Sequence, residues 1–249
     1  MSSKNRTFSL GLGILVILGL FLYAPAAWSD WDPADGHKMH YPQLPDLDNG
    51  IDVETSTTIA DDFQCTSSGP ITDIHIWVSY FEDVVWEIPL KIQIWDNIST
   101  GPNGFSTPGV LLWTRDFQPE EYEPRDWATG LNETFWDPLT GASSTDTAVY
   151  QLNFFIDPEE AFYQEEGEIY WLSVFGNMFD PATGWKTSDD HFMDYAVFKN
   201  ATEDWERIYY NGEYRDMAFV ITPIPPSLLL LGSGLLGLGA LGWRRKKQG

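Results

Sequence analysis

Residues Asp73-Ile74-His75-Ile76-Trp77-Val78-Ser79-Tyr80 decide the fold class. Ile74, Ile76, Val78 and Tyr80 recur at every second position, with Asp73, His75, Trp77 and Ser79 between them. Side chains alternate across a strand, so a period of two puts the sets on opposite faces and argues against a helix, whose period is 3.6. The next run repeats the pattern, Ile88, Leu90, Ile92 and Ile94 against Lys91, Gln93 and Trp95, with Glu82 and Asp83 in a hairpin connection.

Further out, residues 97–104 form a turn-rich loop before a strand from Val110 to Phe117. The Pro, Asp, Gly and Ser content of 118–147 predicts a long excursion with at most short strands near Trp127 and Phe135-Trp136. Alternation returns at Tyr150, Leu152, Phe154 and Ile156, and across Ile169 to Phe175, while Pro158 to Gly167 allows a short helix between them. Short segments follow at 184–188, 195–198, 206–210 and 217–221. Eight or nine short strands without long helices predict an all-β fold, an antiparallel β-sandwich or jelly roll, in one domain over 59–222. Residues 30–58, dense in Asp, Pro and His, read as a polar leader, extended or poorly ordered.

The ends are of another kind. Lys4 and Arg6 precede an apolar run from Phe8 to Tyr23 and then small residues up to Ser29, the pattern of a secretory signal peptide over 1–29. At the other end, Pro223-Ile224-Pro225-Pro226 leads into a Leu/Gly-rich stretch without charge from Ser227 to Trp243, closed by Arg244-Arg245-Lys246-Lys247. As a helix this stretch would be about 25 Å long, just short of a bilayer core, with the basic end held on the cytoplasmic side. The tail at 223–249 resembles the PEP-CTERM sorting signal read by exosortases, with Ile224 where the usual triplet has Glu. The resemblance implies passage through the general secretion machinery and signal peptidase. It also implies a transient stay in the inner membrane by a C-terminal hydrophobic helix, then processing by an exosortase-type enzyme and release to the cell surface or extracellular matrix. Ala60-Asp61-Asp62-Phe63-Gln64-Cys65, Gly69 to Trp77, Leu111-Leu112-Trp113, Ile169 to Leu172 and Gly184 to Ser188 resemble an uncharacterised family of exported all-β domains often carried with such a tail. That likeness implies no catalytic activity.

All 37 acidic residues lie between Asp30 and Asp216 against eight basic ones, a net charge of −29 for that segment. Such a surface repels nucleic acid. The single cysteine, Cys65, rules out an intrachain disulfide, so the fold stands on its core.

Candidate sites are few. Asp61, Asp62, Asp189 and Asp190, with Asp194, are candidate calcium ligands or solvated turn acids; calcium favours several carboxylate and carbonyl oxygens from flexible loops. No other cofactor is expected. Trp77 and Trp95 fall on the less aliphatic faces of adjoining strands beside His75, Lys91 and Gln93, with Trp185 and more weakly Trp113 and Trp127 as companions. They are either platforms on which sugar rings stack or core side chains under the 118–147 excursion. No nucleophile elbow, phosphate loop or zinc spacing is present, and no catalytic residue is assigned. The expectation is a structural or adhesive protein of the matrix or envelope, partnered by exopolysaccharide or matrix proteins. The alternatives are an exopolysaccharide-binding module and a polysaccharide hydrolase.

Overall fold

A computed structural model describes residues 30–85, 88–100, 104–122, 124–176 and 183–222. The signal segment and the sorting motif, with Pro223, Ile224, Pro225, Pro226, Arg244, Arg245, Lys246 and Lys247, lie outside the described residues. The strands are β1 (Ile51–Glu54), β2 (Ile59–Gln64), β3 (Gly69–Pro70), β4 (Asp73–Tyr80), β5 (Leu90–Ile98), β6 (Thr107–Phe117), β7 (Pro124–Trp136), β8 (Ser143–Phe155) and β9 (Tyr163–Gln164). They continue with β10 (Ile169–Phe175), β11 (Thr183–Ser188), β12 (Val197–Lys199), β13 (Trp205–Arg207), β14 (Tyr209–Tyr210), β15 (Glu213–Tyr214), β16 (Asp216–Met217) and β17 (Phe219–Thr222). Two single 3-10 turns, Phe81–Asp83 and Pro119–Glu121, are the helical elements among the described residues, and no described helix is long and apolar enough to cross a membrane. The chain is all-β.

Six strands form one antiparallel sheet in the order β13-β12-β2-β10-β5-β6. Seven form the other, β16-β11-β1-β7-β8-β4-β17, and an added pairing of β11 with β4 closes β4, β8, β7, β1 and β11 into a ring. Within that ring only β1 and β7 run parallel, with Asp52 opposite Phe135. The largest apolar cluster draws on both sheets: Ile51, Val53, Ile76, Val78 and Trp185 from the ring meet Ile59, Phe63, Ile92, Ile94 and Leu172 from the six-stranded sheet. All eight residues of β4 are buried, because the aliphatic set faces this core while the alternate set, including Trp77 and Ser79, lies on the face that the ring closes over.

Four sequence expectations change. β4 and β5 form no hairpin, because β4 lies in the seven-stranded sheet and β5 in the six-stranded one. The 118–147 stretch is a long hairpin of two 13-residue strands, β7 and β8. Polar residues fill the exposed positions of β7, and register shifts on either side of Ala128-Thr129 break the alternation that would have marked it. The 30–58 segment is extended but packed. Trp31 and Met39 are buried, β1 sits between β7 and β11, and the backbone N–H of Lys38 donates to Ile221 and that of Asp46 to Thr187. Its few apolar anchors carry it, which its polar composition hides. Residues 158–167 form turns and β9 rather than a short helix, with Gly167 in the left-handed region at φ 83°.

Candidate functional site

Asp52 and Lys186 stand directly opposite each other on β1 and β11. Glu133 lies two residues before Phe135, the parallel partner of Asp52, and is itself opposite Asp146 on β8. Alternation along the strands therefore turns Asp52, Glu133 and Lys186 to one face, away from the core that holds their neighbours Val53 and Trp185. Asp52, Glu133 and Asp146 offer oxygens all within 4.8 Å of one another, and all three side chains are buried. The fully buried Lys186 Nζ lies 2.6 Å from Glu133 Oε1 and 3.5 Å from Asp52 Oδ2. Two glycines make the room. A Cβ on Gly50 would come within 3.0 Å of Lys186 Cε, and one on Gly184 would come within 2.7 Å of the Phe135 ring and 2.9 Å of Asp52 Cβ.

Three carboxylates and one ammonium cannot all stay charged away from water, since an uncompensated buried ion costs several kcal/mol. Burial pushes Asp52 up to about 7, against the pull of Lys186 and with the help of Glu133. Burial also raises Asp146 to about 8, reinforced by Asp52 and Glu133, and raises Glu133 against Lys186. The Ser79 hydroxyl favours the ionised form of Asp52. Burial thus favours the neutral form of all three carboxyls, most of all at Asp52 and Asp146. The oxygen set suits a hard cation such as calcium, but the Lys186 ammonium already stands among those oxygens.

A second acidic cluster involves two of the carboxylates singled out from the sequence. Asp61, on the inter-sheet face of β2, accepts from Gln43 Nε2 at 2.7 Å and from the backbone N–H of Met217 at 2.6 Å. Asp62 points to the other face and accepts from the N–H of Asp194 at 3.4 Å. Asp216 Oδ2 lies 2.6 Å from His191 Nδ1, and Arg207 donates to Asp194 at 3.0 Å. Burial, then mutual repulsion, raises Asp61 well above its ordinary value, Asp62 to about 9 and Asp216 to about 8. Asp189 and Asp190 do not join them. Both are exposed in the turn after β11, where Asp190 accepts from the N–H of Leu44. Among the described residues the four predicted calcium ligands make no group with metal spacing, because successive residues of β2 point to opposite faces and the other two sit in a separate turn.

The predicted sugar platform divides. Trp77 is fully buried, edge-on to Trp31 at 5.8 Å and to Trp127 at 5.1 Å, and Trp185 is fully buried and donates to the Ala218 carbonyl at 2.8 Å. His75 is buried too, with Nδ1 2.5 Å from Asn153 Oδ1 and Nε2 3.3 Å from Asp73. None of the three presents a face to a ligand: ring closure and the 30–58 segment cover Trp77 and His75 on β4, and Trp185 lies in the inter-sheet core. Trp95 stays half-buried on the outer face of the six-stranded sheet, donates to Ser173 Oγ at 2.8 Å and meets Trp205 edge-on at 5.9 Å. The aromatic surface lies elsewhere. Tyr195 stacks on Tyr214 at 5.2 Å and on His191 at 4.3 Å, and Tyr209 packs against Tyr214. Tyr209 is 53% and Tyr214 44% exposed. Arg207 spans the strip, its guanidinium carbon 5.4 Å from the Tyr214 ring centre. The sequence signal was faint: tyrosines on either side of the Asn211-Gly212 turn that joins β14 to β15.

No curated protein and no solved structure matches this chain. Residues 39–222 match a family described as a domain of unknown function, DUF7901, a span that takes in both acidic clusters and the tyrosine strip. The match covers most of the sequence, and the chain belongs to the DUF7901 family.

Proposed function

We propose that this chain is an exported structural or adhesive component of the extracellular matrix or cell envelope, sorted through its C-terminal segment, with its two sheets packed as a β-sandwich of jelly-roll kind. The observation that carries the reading is the location of the perturbed acids. Asp52, Asp61, Asp62, Asp146 and Asp216 are all at most 2% exposed. Groups tuned for turnover need access to substrate, whereas these sit inside the fold and serve its cohesion. The acidic surface and the lack of an intrachain disulfide agree with a body that holds together by its core outside the cell. Export itself rests on the signal-like run at one end and the resemblance of the other end to a PEP-CTERM signal; its partners on that route are signal peptidase and an exosortase-type enzyme. The test is fractionation of cells making the full chain or a chain ending at Thr222. The full chain is expected at the surface and in the matrix, the shortened one in soluble fractions. An identical distribution of the two overturns sorting by the tail.

The tyrosine strip favours a second reading, an exopolysaccharide-binding surface. The half-exposed rings of Tyr209 and Tyr214 beside Arg207 and His191 offer aromatic surface and hydrogen-bond donors together. Pull-down of the full chain with exopolysaccharide from the producing cells tests it. A Tyr209→Ala/Tyr214→Ala pair should lose the polysaccharide, and unchanged retention rejects the strip as the contact.

A further inference from the structure

Lys186 is one of eight basic residues in the acidic segment, and it is fully buried among three carboxylates on a strand flanked on both sides. A long cationic side chain seldom goes into an interior where hydrophobic residues of similar volume would serve stability as well or better. We propose that the Lys186 amine and the Asp52 carboxyl join in an intramolecular amide bond, with Glu133 as the proton acceptor, so that β11 and β1 become covalently stapled across the ring. This stands whether or not the chain is exported.

Three observations bring the reaction within reach. Asp52 and Lys186 are direct register partners with side chains on one face, and Nζ lies 3.5 Å from Asp52 Oδ2. Oδ2 is bonded to Cγ, the carbon to be attacked, so the amine is held beside the reacting carboxyl group. Glu133 Oε1, at 2.6 Å from the same Nζ, is in place to take a proton from the ammonium and leave a nucleophilic amine. The group is closed to water by Phe135 and the strands of the ring, which favours loss of water over its return. Burial of Asp52, which favours its neutral form, supplies the remaining need, a carboxylic acid rather than a carboxylate as the electrophile.

The atoms balance. One ammonium proton passes to Glu133. The neutral amine attacks Asp52 Cγ, and a second proton from the nitrogen leaves with the Asp52 hydroxyl as one water. The third stays on the amide nitrogen. No oxidant, metal or cofactor is consumed, and the buried group is neutral before and after. Asp146, beside Glu133, stays protonated and is free to donate to its neighbours. Carboxylate oxygens at 2.6 and 3.5 Å from Nζ divide the roles: the nearer is the ion-pair partner and base, the farther belongs to the acid that is attacked.

The test is tryptic digestion of the denatured full chain followed by mass spectrometry. Cleavage at the unmodified basic residues would place Asp52 in a peptide of residues 39–91 and Lys186 at the end of one of residues 126–186. The amide blocks cleavage after Lys186, so the expected product is peptide 39–91 joined to peptide 126–199 and lighter by one water. Separate peptides with free Lys186 overturn the proposal, and so does a loop within 126–199, which would mean that Lys186 had reacted with Glu133 instead. Glu133→Gln should abolish the joined product while melting cooperatively; a folded Glu133→Gln chain that is still fully joined removes Glu133 from the reaction. The wild-type digest decides the bond even where that variant does not fold.

Discussion

The two acidic clusters are built from the same residue type and differ in what neutralises them. Around Asp52, Glu133 and Asp146 the counter-charge is an ammonium brought in on the opposite strand and sealed from water. Around Asp61, Asp62 and Asp216 it is a set of hydrogen bonds from Gln43 and the backbone, with His191 reaching Asp216 from the surface, its side chain 42% exposed. The first cluster is closed to solvent and can change only through its own members. The second communicates with bulk water through the imidazole, and its charge follows pH. An acidic protein thus buries carboxylates in two ways, one around a buried ammonium and one among neutral hydrogen-bond donors.

The largest expected effect breaks the first arrangement. Lys186→Met removes the cation that stands among three buried carboxylates and should cost about 3–5 kcal/mol, seen as a fall in urea midpoint. A loss under about 1 kcal/mol would mean that protonation alone satisfies the acids, and the two clusters would then be alike. Of the same order is Trp77→Ala, since Trp77 shares a face of β4 with Ser79 and fills the apolar end of that face against Trp31 and Trp127. Truncating it should cost about 3–5 kcal/mol and lower the melting temperature cooperatively. A normal melt would return Trp77 to the surface.

A smaller effect sharpens the second cluster. Asp62 and Asp216 have folded values of about 9 and about 8 against an ordinary 3.8, so the folded chain holds protons that the unfolded chain has released. Their contribution is fully present below about pH 4 and is lost as pH rises through 8 to 9. Stability should therefore fall between pH 5 and 8, by up to about 1.4 kcal/mol per pH unit for each such group. Asp62→Asn should flatten the slope, while a melting temperature that rises with pH over this range contradicts the protonated cluster. If Asp52 is in an amide, it adds nothing to that slope. The smallest effect is at the rim: His191→Ala should change stability by about 1 kcal/mol or less, as befits a partly exposed polar contact.

Much of this fold is legible in the sequence and the site is hardly so, for a physical reason. β4, β5 and β10 alternate cleanly because at least one face of each meets the inter-sheet core, and period two is what such burial leaves in a sequence. β7 escaped because most of its residues are half-buried rather than split between a buried and an exposed face and its register shifts, and β1 because four residues, Ile51 to Glu54, give too short a pattern and carry an acid at the second position. Asp61 and Asp62 were visible as an unusual pair, yet their partners Asp216 and Gln43 come from the two ends of the domain. The members of the first cluster, at 52, 133, 146 and 186, meet only when the ring closes. The available hint was Lys186 itself, a charge between Trp185 and Thr187 inside a strand that reads as buried.

The most direct measurement compares two lysines in one tube: tryptic cleavage after Lys186 and after Lys199 in the denatured full chain. Lys199 pairs with the exposed Glu203 and lies over the Trp205 ring, and it should be cut completely. Lys186 should resist, with its peptide carrying residues 39–91 and lacking one water. Equal cleavage at both would show that Lys186 keeps a free amine and that the cluster is an ion pair rather than a staple.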